Sequence, residues 1–213
     1  MKEEDSGEDY YKKFMKQQFI YINGWVPKEN FASYYDFLHS LEYNPFEETF
    51  LSWNKTLGEK LGEDWEYFRA PFREREYADY EAWKIMFEKM FPYFRDDIVI
   101  WAGSLWATFI IKYLSENIFP VKIKRLIFVA AALHDTQKER LGSFRLDAQK
   151  IPTIISQVKD IRVYHSRDDD IVPFSDFEIM KTYFPTATFR EFSDRGHFYL
   201  ESELPEIEED IKA

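Results

Sequence analysis

A chain of 213 residues is long enough to bury one continuous sheet and short for two independent cores; with 45% hydrophobic and 19% aromatic residues it is excluded from the disordered class. Lys and Arg total 28 against 39 Asp and Glu, a formal charge of −11, which repels a phosphate backbone and excludes nucleic acid as an expected partner. Cysteine is absent, which excludes disulfides, thiolate catalysis and cysteine-ligated zinc and makes a reducing cytoplasm the expected compartment.

Residues 1–15 read as a flexible acidic leader, lacking the basic start and apolar stretch of a secretory signal. Residues 16–213 read as one domain. Within it, short β-rich runs are predicted at Phe19 to Ile22, Tyr67 to Arg69, Ile98 to Trp101, Leu126 to Ala130, Ile161 to Tyr164 and Thr188 to Phe192. Between the second and third runs, Tyr80, Trp83, Phe87, Met90 and Phe91 recur at helical spacing behind Asp79, a residue suited to start a helix. Helices are also expected at Leu105 to Leu114, Phe177 to Tyr183 and Ile207 to Ile211. The segment from Trp25 to Leu61 is expected to hold two helical pieces. The stretch His134 to Ser156 lacks a strong period and is expected to lie over the strand ends, where lids and substrate loops are found. Strands that are apolar on both faces, alternating with helices, predict an α/β fold: a mostly parallel sheet of about six strands with helices on both faces. The longest apolar run, Leu126 to Leu133, is far below the roughly 20 residues that span a bilayer, so no membrane partner is expected.

Three places carry residues suited to acyl-transfer chemistry. Ser104 lies between a β-run and a helical run, in the sequence IVIWAGSLWATF, the strand-turn-helix setting of a nucleophile elbow. The common elbow pattern GxSxG asks for small residues two before and two after the serine, and here those positions are Ala102 and Trp106. A large indole at 106 is expected either to push the elbow helix outward or to rotate over Ser104 and narrow the acyl pocket. Near the C-terminus, His197 in SDRGHF follows the last β-run, where this kind of fold keeps its base. Between the two, HSRDDDIVP leaves a strand and enters a helix, and an acid there orients the histidine. The pattern D-x-[IV]-V-P selects Asp169, with one or two of Asp168, Asp169 and Asp170 also reading as helix caps. The chain order Ser, Asp, His is that of α/β-hydrolases. The first strand ends in Asn23-Gly24-Trp25, which reads equally as an ordinary turn or as the place of an oxyanion donor. The backbone N–H groups of Trp25 and Leu105 are the candidates for that role. Trp106, Phe144 and Phe174 are expected around the substrate pocket. His39, His134 and His165 are expected to be dispensable for the chemical step.

With these residues in view, the sequence resembles the retinoblastoma-binding serine hydrolases and their bacterial relatives. The resemblance runs from about Phe19 to Ile211 and rests on YINGW, ADYEAWKIMFEK, GSLWATFIIKYLSEN, LGSFRLD, HSRDDDIVPF and DRGHF. It implies a minimal α/β-hydrolase domain with Ser104, Asp169 and His197 as catalytic triad, no cofactor, no metal, and hydrolysis of a small ester or aromatic amide. The chain departs from that pattern at Asn23, where the family has histidine, and at Trp106, where it has glycine. Family members that bind retinoblastoma protein use a cysteine-containing motif, so that partner does not carry over to a chain without cysteine.

Two functions follow as expectations. One is a serine hydrolase that forms an acyl-enzyme on a small-molecule acyl substrate. The other, motivated by Trp106, is a catalytically impaired hydrolase fold acting as a binding module. A further reading concerns the text of the sequence. Glycine occurs only 7 times, and a source genome that reads UGA as glycine would place a spurious tryptophan at 106; a UGG codon there removes the idea.

Overall fold

The computed structural model describes residues 16–22, 53–69, 78–136, 141–199, 201 and 203–213. Six strands form one sheet in the order β2-β1-β3-β4-β5-β6: β1 (Gln17–Ile22), β2 (Trp65–Arg69), β3 (Ile98–Gly103), β4 (Ile123–Val129), β5 (Val158–Ser166) and β6 (Thr188–Phe192). Every neighbouring pair is parallel. Parallel strands need long connections, and helices supply them: α1 (Trp53–Leu61), α2 (Tyr80–Glu88), α3 (Leu105–Glu116), α4 (Pro152–Ile155) and α5 (Phe174–Tyr183), with α6 (Pro205–Lys212) after the last strand.

Strand side chains alternate between faces, so the central strands feed two cores. Ile20, Ile22, Ile98, Ile100, Ala102, Leu126, Phe128, Ile161 and Val163 meet α2, α3, α4 and α5 on one face. Phe19, Tyr21, Val99, Trp101, Ile127, Val129 and Tyr164 meet α1 and α6 on the other. All of β3 is buried, as expected of a strand covered on both sides. Its helix α3 is buried nearly all round, with only Lys112 and Glu116 outside the buried set, which marks it as a core helix rather than a surface one.

Asp79 does start α2, its carboxylate accepting the Ala82 N–H at 3.1 Å. The helix stops at Glu88, and Met90 and Phe91, expected to continue it, belong to a turn and to a 3-10 segment, Phe91–Tyr93. Pro92 gives a reason, since it has no N–H to donate to the Glu88 carbonyl and so cannot continue the α-helical ladder. The segment from 141 to 156 is more ordered than its lack of period implied. It contains 3-10 turns at Gly142–Phe144 and Ala148–Lys150 before α4, and buries Leu141, Phe144, Ile151 and Ile154. Ser143 ties it to α2, its Oγ accepting the Tyr80 N–H at 2.9 Å. Of the segment Trp25 to Leu61, α1 is a helical piece, and residues 25–52 lie outside the described residues.

The strand order reverses between β1 and β3: the chain goes outward from β1 to β2, then returns to the other side of β1 and proceeds to β6. In an open parallel sheet, the crevice at the carboxyl ends of the strands beside such a switch is where ligands bind. Ser104 is the first residue after β3, at that place.

Candidate active site

Ser104 has φ 54° and ψ −131°. A positive φ in this region, in a residue with a Cβ, costs on the order of 1–3 kcal/mol. Backbone bonds hold the conformation from both sides. The Ser104 N–H donates to the Val129 carbonyl at 2.9 Å, and the Ser104 carbonyl accepts from Ala107 at 3.0 Å and from Ala132 at 3.4 Å. A turn of this kind lifts the side chain off the strand's carboxyl end instead of leaving it in the ladder. The preceding residue is constrained by packing. A Cβ on Gly103 would lie 2.6 Å from the Trp101 indole, and that indole is stacked on Tyr21 with ring centroids 4.4 Å apart. The demand for a small residue at this elbow therefore falls on Gly103 as well as on Ala102.

After β5 the chain turns through residues 167–173 into α5. The Asp169 side chain is fully buried there. Its Oδ1 accepts the N–H groups of Ile171 and Val172, each at 2.9 Å, so the residue stiffens its own turn. Its Oδ2 lies 2.8 Å from His197 Nδ1. An ionised carboxylate only accepts hydrogen bonds, so Nδ1 carries the proton and Nε2 is the nitrogen left with a lone pair.

Three strand spacings separate β3 from β6, roughly 14 Å, so a histidine following β6 must be carried back over the end of β5. Two side chains hold the loop that carries it. Ser166 Oγ accepts the Arg195 N–H at 3.1 Å and donates to Asp168 Oδ1, which also accepts the Gly196 N–H at 3.0 Å. The Ser166 hydroxyl, followed by the Gly196 N–H, keeps the Asp168 carboxyl below the usual carboxylate range. Gly196 at φ 49° and Phe198 at φ 60° complete the reversal. Phe198 is buried, its ring edge-on to Phe192 at 5.6 Å. This latch has no motif in the sequence, where the run of three aspartates reads as an orienting acid and helix caps.

His165, expected from the sequence to be dispensable for the chemical step, belongs to the same cluster. Its ring is buried, and Nε2 donates to the Val172 carbonyl at 3.1 Å while standing 3.7 Å from Asp169 Oδ2. Burial pushes its pKa down, against the opposing pull of the Val172 carbonyl and Asp169. Phe174, expected at the pocket, is half-buried, edge-on to His165 at 5.7 Å and covered by the Arg167 guanidinium at 4.4 Å.

The other two aromatics expected around the pocket are core residues. Trp106 is 1% exposed, its ring flat against Trp83 of α2 with centroids 3.4 Å apart and 5° between planes, and edge-on to Phe109 at 5.4 Å. It fills the seam between α2 and α3, because residue 106 faces that seam from the first turn of α3. Phe144 is also 1% exposed, packed on Trp83 at 4.7 Å and Tyr80 at 6.1 Å, so it anchors the 141–156 segment instead of standing at a mouth. Leu105 opens α3, and its N–H is one of the first-turn donors that have no acceptor within a helix. Trp25, Asn23, Gly24 and His39 lie outside the described residues. Among the described residues no group of three or more His, Asp or Glu is placed to hold a metal ion, and no helix is long and apolar enough to cross a membrane.

A parallel six-stranded sheet covered by helices on both faces, with a strained serine turn after a central strand and an aspartate–histidine pair on the loops after the last two strands, is the α/β-hydrolase fold. No protein-family model matches the chain, and no curated protein sequence does. Solved structures do. The ydeN gene product of B. subtilis is similar with a TM-score of 0.69 at 18% identity, over 92% of this chain and 97% of that one. Est1E from Butyrivibrio proteoclasticus gives a TM-score of 0.59 at 14% identity, over 92% and 86% of the two chains. The thioesterase domain from the curacin biosynthetic pathway gives 0.60 at 9% identity, over 93% and 92%. Likeness at these identities defines the fold.

Proposed function

We propose that this chain is a serine hydrolase that cleaves a small ester or amide through an acyl-enzyme, related to the retinoblastoma-binding serine hydrolases by its HSRDDDIVPF and DRGHF segments. The observation that carries the reading is the 2.8 Å contact between His197 Nδ1 and Asp169 Oδ2, made at the same carboxyl edge of the sheet as the strained Ser104 turn. The company of a thioesterase domain among proteins of like fold supports it.

In this reading Ser104 Oγ attacks the substrate carbonyl while its proton passes to His197 Nε2. Asp169 holds the imidazole by Nδ1 and stabilises the imidazolium that forms. The Leu105 N–H donates to the oxyanion of the tetrahedral intermediate. Collapse of that intermediate breaks the bond to the leaving alcohol or amine, which takes the proton from Nε2 and departs, leaving the acyl group on Oγ. Water then gives its proton to Nε2 and its oxygen to the acyl carbon, and Ser104 recovers its proton as the carboxylic acid leaves. No cofactor enters these steps.

Labelling with a fluorophosphonate probe tests the proposal. Wild type is expected to label and Ser104→Ala to remain unlabelled, with Asp169→Asn slowing ester turnover by about ten-thousandfold, because the imidazole would then be held in the wrong tautomer. A well-folded wild type that does not label overturns the reading.

A further inference from the structure

Resting on the serine-hydrolase reading, we propose that His134 is a specificity-determining residue that hydrogen-bonds a hydroxyl group of the substrate. After β4, three consecutive residues are tied down in turn. The Ala132 N–H donates to the Ser104 carbonyl at 3.4 Å. The Leu133 N–H donates to Asp176 Oδ2 at 2.6 Å, and His134 Nδ1 lies 2.7 Å from Asp176 Oδ1. Thr108 of α3 adds a bond to the Ala132 carbonyl. Residues 130–133 are all buried and His134 is the first exposed residue of the loop. Two residues span at most about 7 Å, so His134 emerges close to the backbone contact with Ser104.

The two members of the pair differ sharply in exposure: the Asp176 side chain is 0% exposed and that of His134 55%. Burying a carboxylate is costly unless its oxygens are satisfied. Here one oxygen fixes a backbone N–H and the other fixes the imidazole of an otherwise solvated side chain. An imidazole that serves only as a solvated surface group gains little from such an anchor. One that must present a particular nitrogen gains its tautomer and its orientation. Asp176 accepts a hydrogen bond from Nδ1–H, so Nε2 on the far edge of the ring is the atom offered to a ligand. A neutral ring offers an acceptor there and a protonated ring a donor. A hydroxyl both donates and accepts, and so is the substrate group that pairs with Nε2 in either state. His134 thereby differs in role from His197: it binds the substrate and takes no proton from Ser104.

The test is hydrolysis of matched esters by the full chain, comparing propyl butyrate with glyceryl monobutyrate, and p-nitrophenyl butyrate with p-nitrophenyl 3-hydroxybutyrate. Wild type is expected to favour the hydroxylated member of at least one pair by about tenfold in kcat/KM, chiefly through KM. His134→Leu is expected to erase that preference through KM, with the melting temperature read alongside because the variant leaves the buried Asp176 Oδ1 without its partner. Asp176→Asn should erode the preference in the same direction if it folds. Ser104-dependent hydrolysis without a preference, or a preference that survives His134→Leu, overturns the role of His134 and leaves the hydrolase reading standing. Absence of any Ser104-dependent hydrolysis overturns both.

Discussion

Ser104 is held at φ 54° by its neighbours' hydrogen bonds, against its own side chain's preference. Glycine at that position keeps the backbone and removes the clash. Ser104→Gly is therefore expected to raise stability by about 1 kcal/mol or more while abolishing turnover, as read from urea midpoints beside an ester assay; Ser104→Ala, which keeps the Cβ, should abolish turnover without that gain. Trp106 makes the opposite case. Its indole is 1% exposed and stacked on Trp83, so Trp106→Gly should leave a cavity and cost at least about 3 kcal/mol. Unchanged stability together with higher esterase activity would instead mark 106 as a glycine position whose tryptophan the fold does not need.

At the scale of elements, the loops after β5 and β6 act as one unit because Ser166 and Asp168 join them. Asp168→Ala should let the histidine loop drift while leaving the Asp169–His197 contact chemically possible. A loss of about ten- to a hundredfold in kcat, on the scale of a catalytic group misplaced by an ångström, is expected with folding intact. An unchanged kcat would mean that Asp169 alone holds His197. The last helix has a different lock, on the opposite face from Trp106. Asp210 of α6 is 3% exposed; its carboxylate meets Arg162, Arg190 and Tyr164, and its carbonyl meets Arg125. Removing the carboxylate leaves Arg190 and the Tyr164 hydroxyl without that partner while Arg162 keeps Asp160, so the cost is expected to fall below the about 3–5 kcal/mol of a fully orphaned buried charge. Asp210→Ala should accordingly free α6, seen as faster amide exchange along residues 205–212 and a lower melting temperature. A melt unchanged from wild type would show that Ile207 and Ile211 suffice to dock the helix.

For the whole molecule, the buried imidazole of His165 couples folding to pH. Burial lowers its pKa from the ordinary 6.5, whereas in the unfolded chain it takes a proton near that value. The unfolded state then binds more protons as pH falls below about 6.5, so stability is full above that pH and declines below it. The decline from this group cannot exceed about 1.4 kcal/mol per pH unit. Denaturant midpoints between pH 7.5 and 5.5 should fall in wild type and fall less steeply in His165→Gln. Equal slopes would place the titrating group elsewhere. Asp168, also with a depressed pKa, acts in the acid range instead, where its stabilising bonds are lost as the carboxylate is protonated.

By itself the sequence determined the layers. Apolar alternation and run length are local properties, and they placed a piece of every strand of the sheet, with Thr188–Phe192 matched end to end; strand ends such as Gln17 or Ser166 escaped because polar residues at a sheet's margin carry no period. The motif chemistry also put forward Ser104, Asp169 and His197 as the proposed triad, because an elbow, an acidic turn and a Gly-His loop each leave a short local trace. What only the tertiary structure decided is everything that joins residues distant in the chain. Asp168 and Ser166 meet Arg195 and Gly196 across 28 or 29 positions, and Asp176 meets His134 across 42. Trp106 shows the same division. The local pattern said that an indole does not belong beside the nucleophile. Trp83, a neighbour supplied by a different helix, gave it a place in the core, since where a side chain comes to rest depends on the space its neighbours leave and not on its own sequence position.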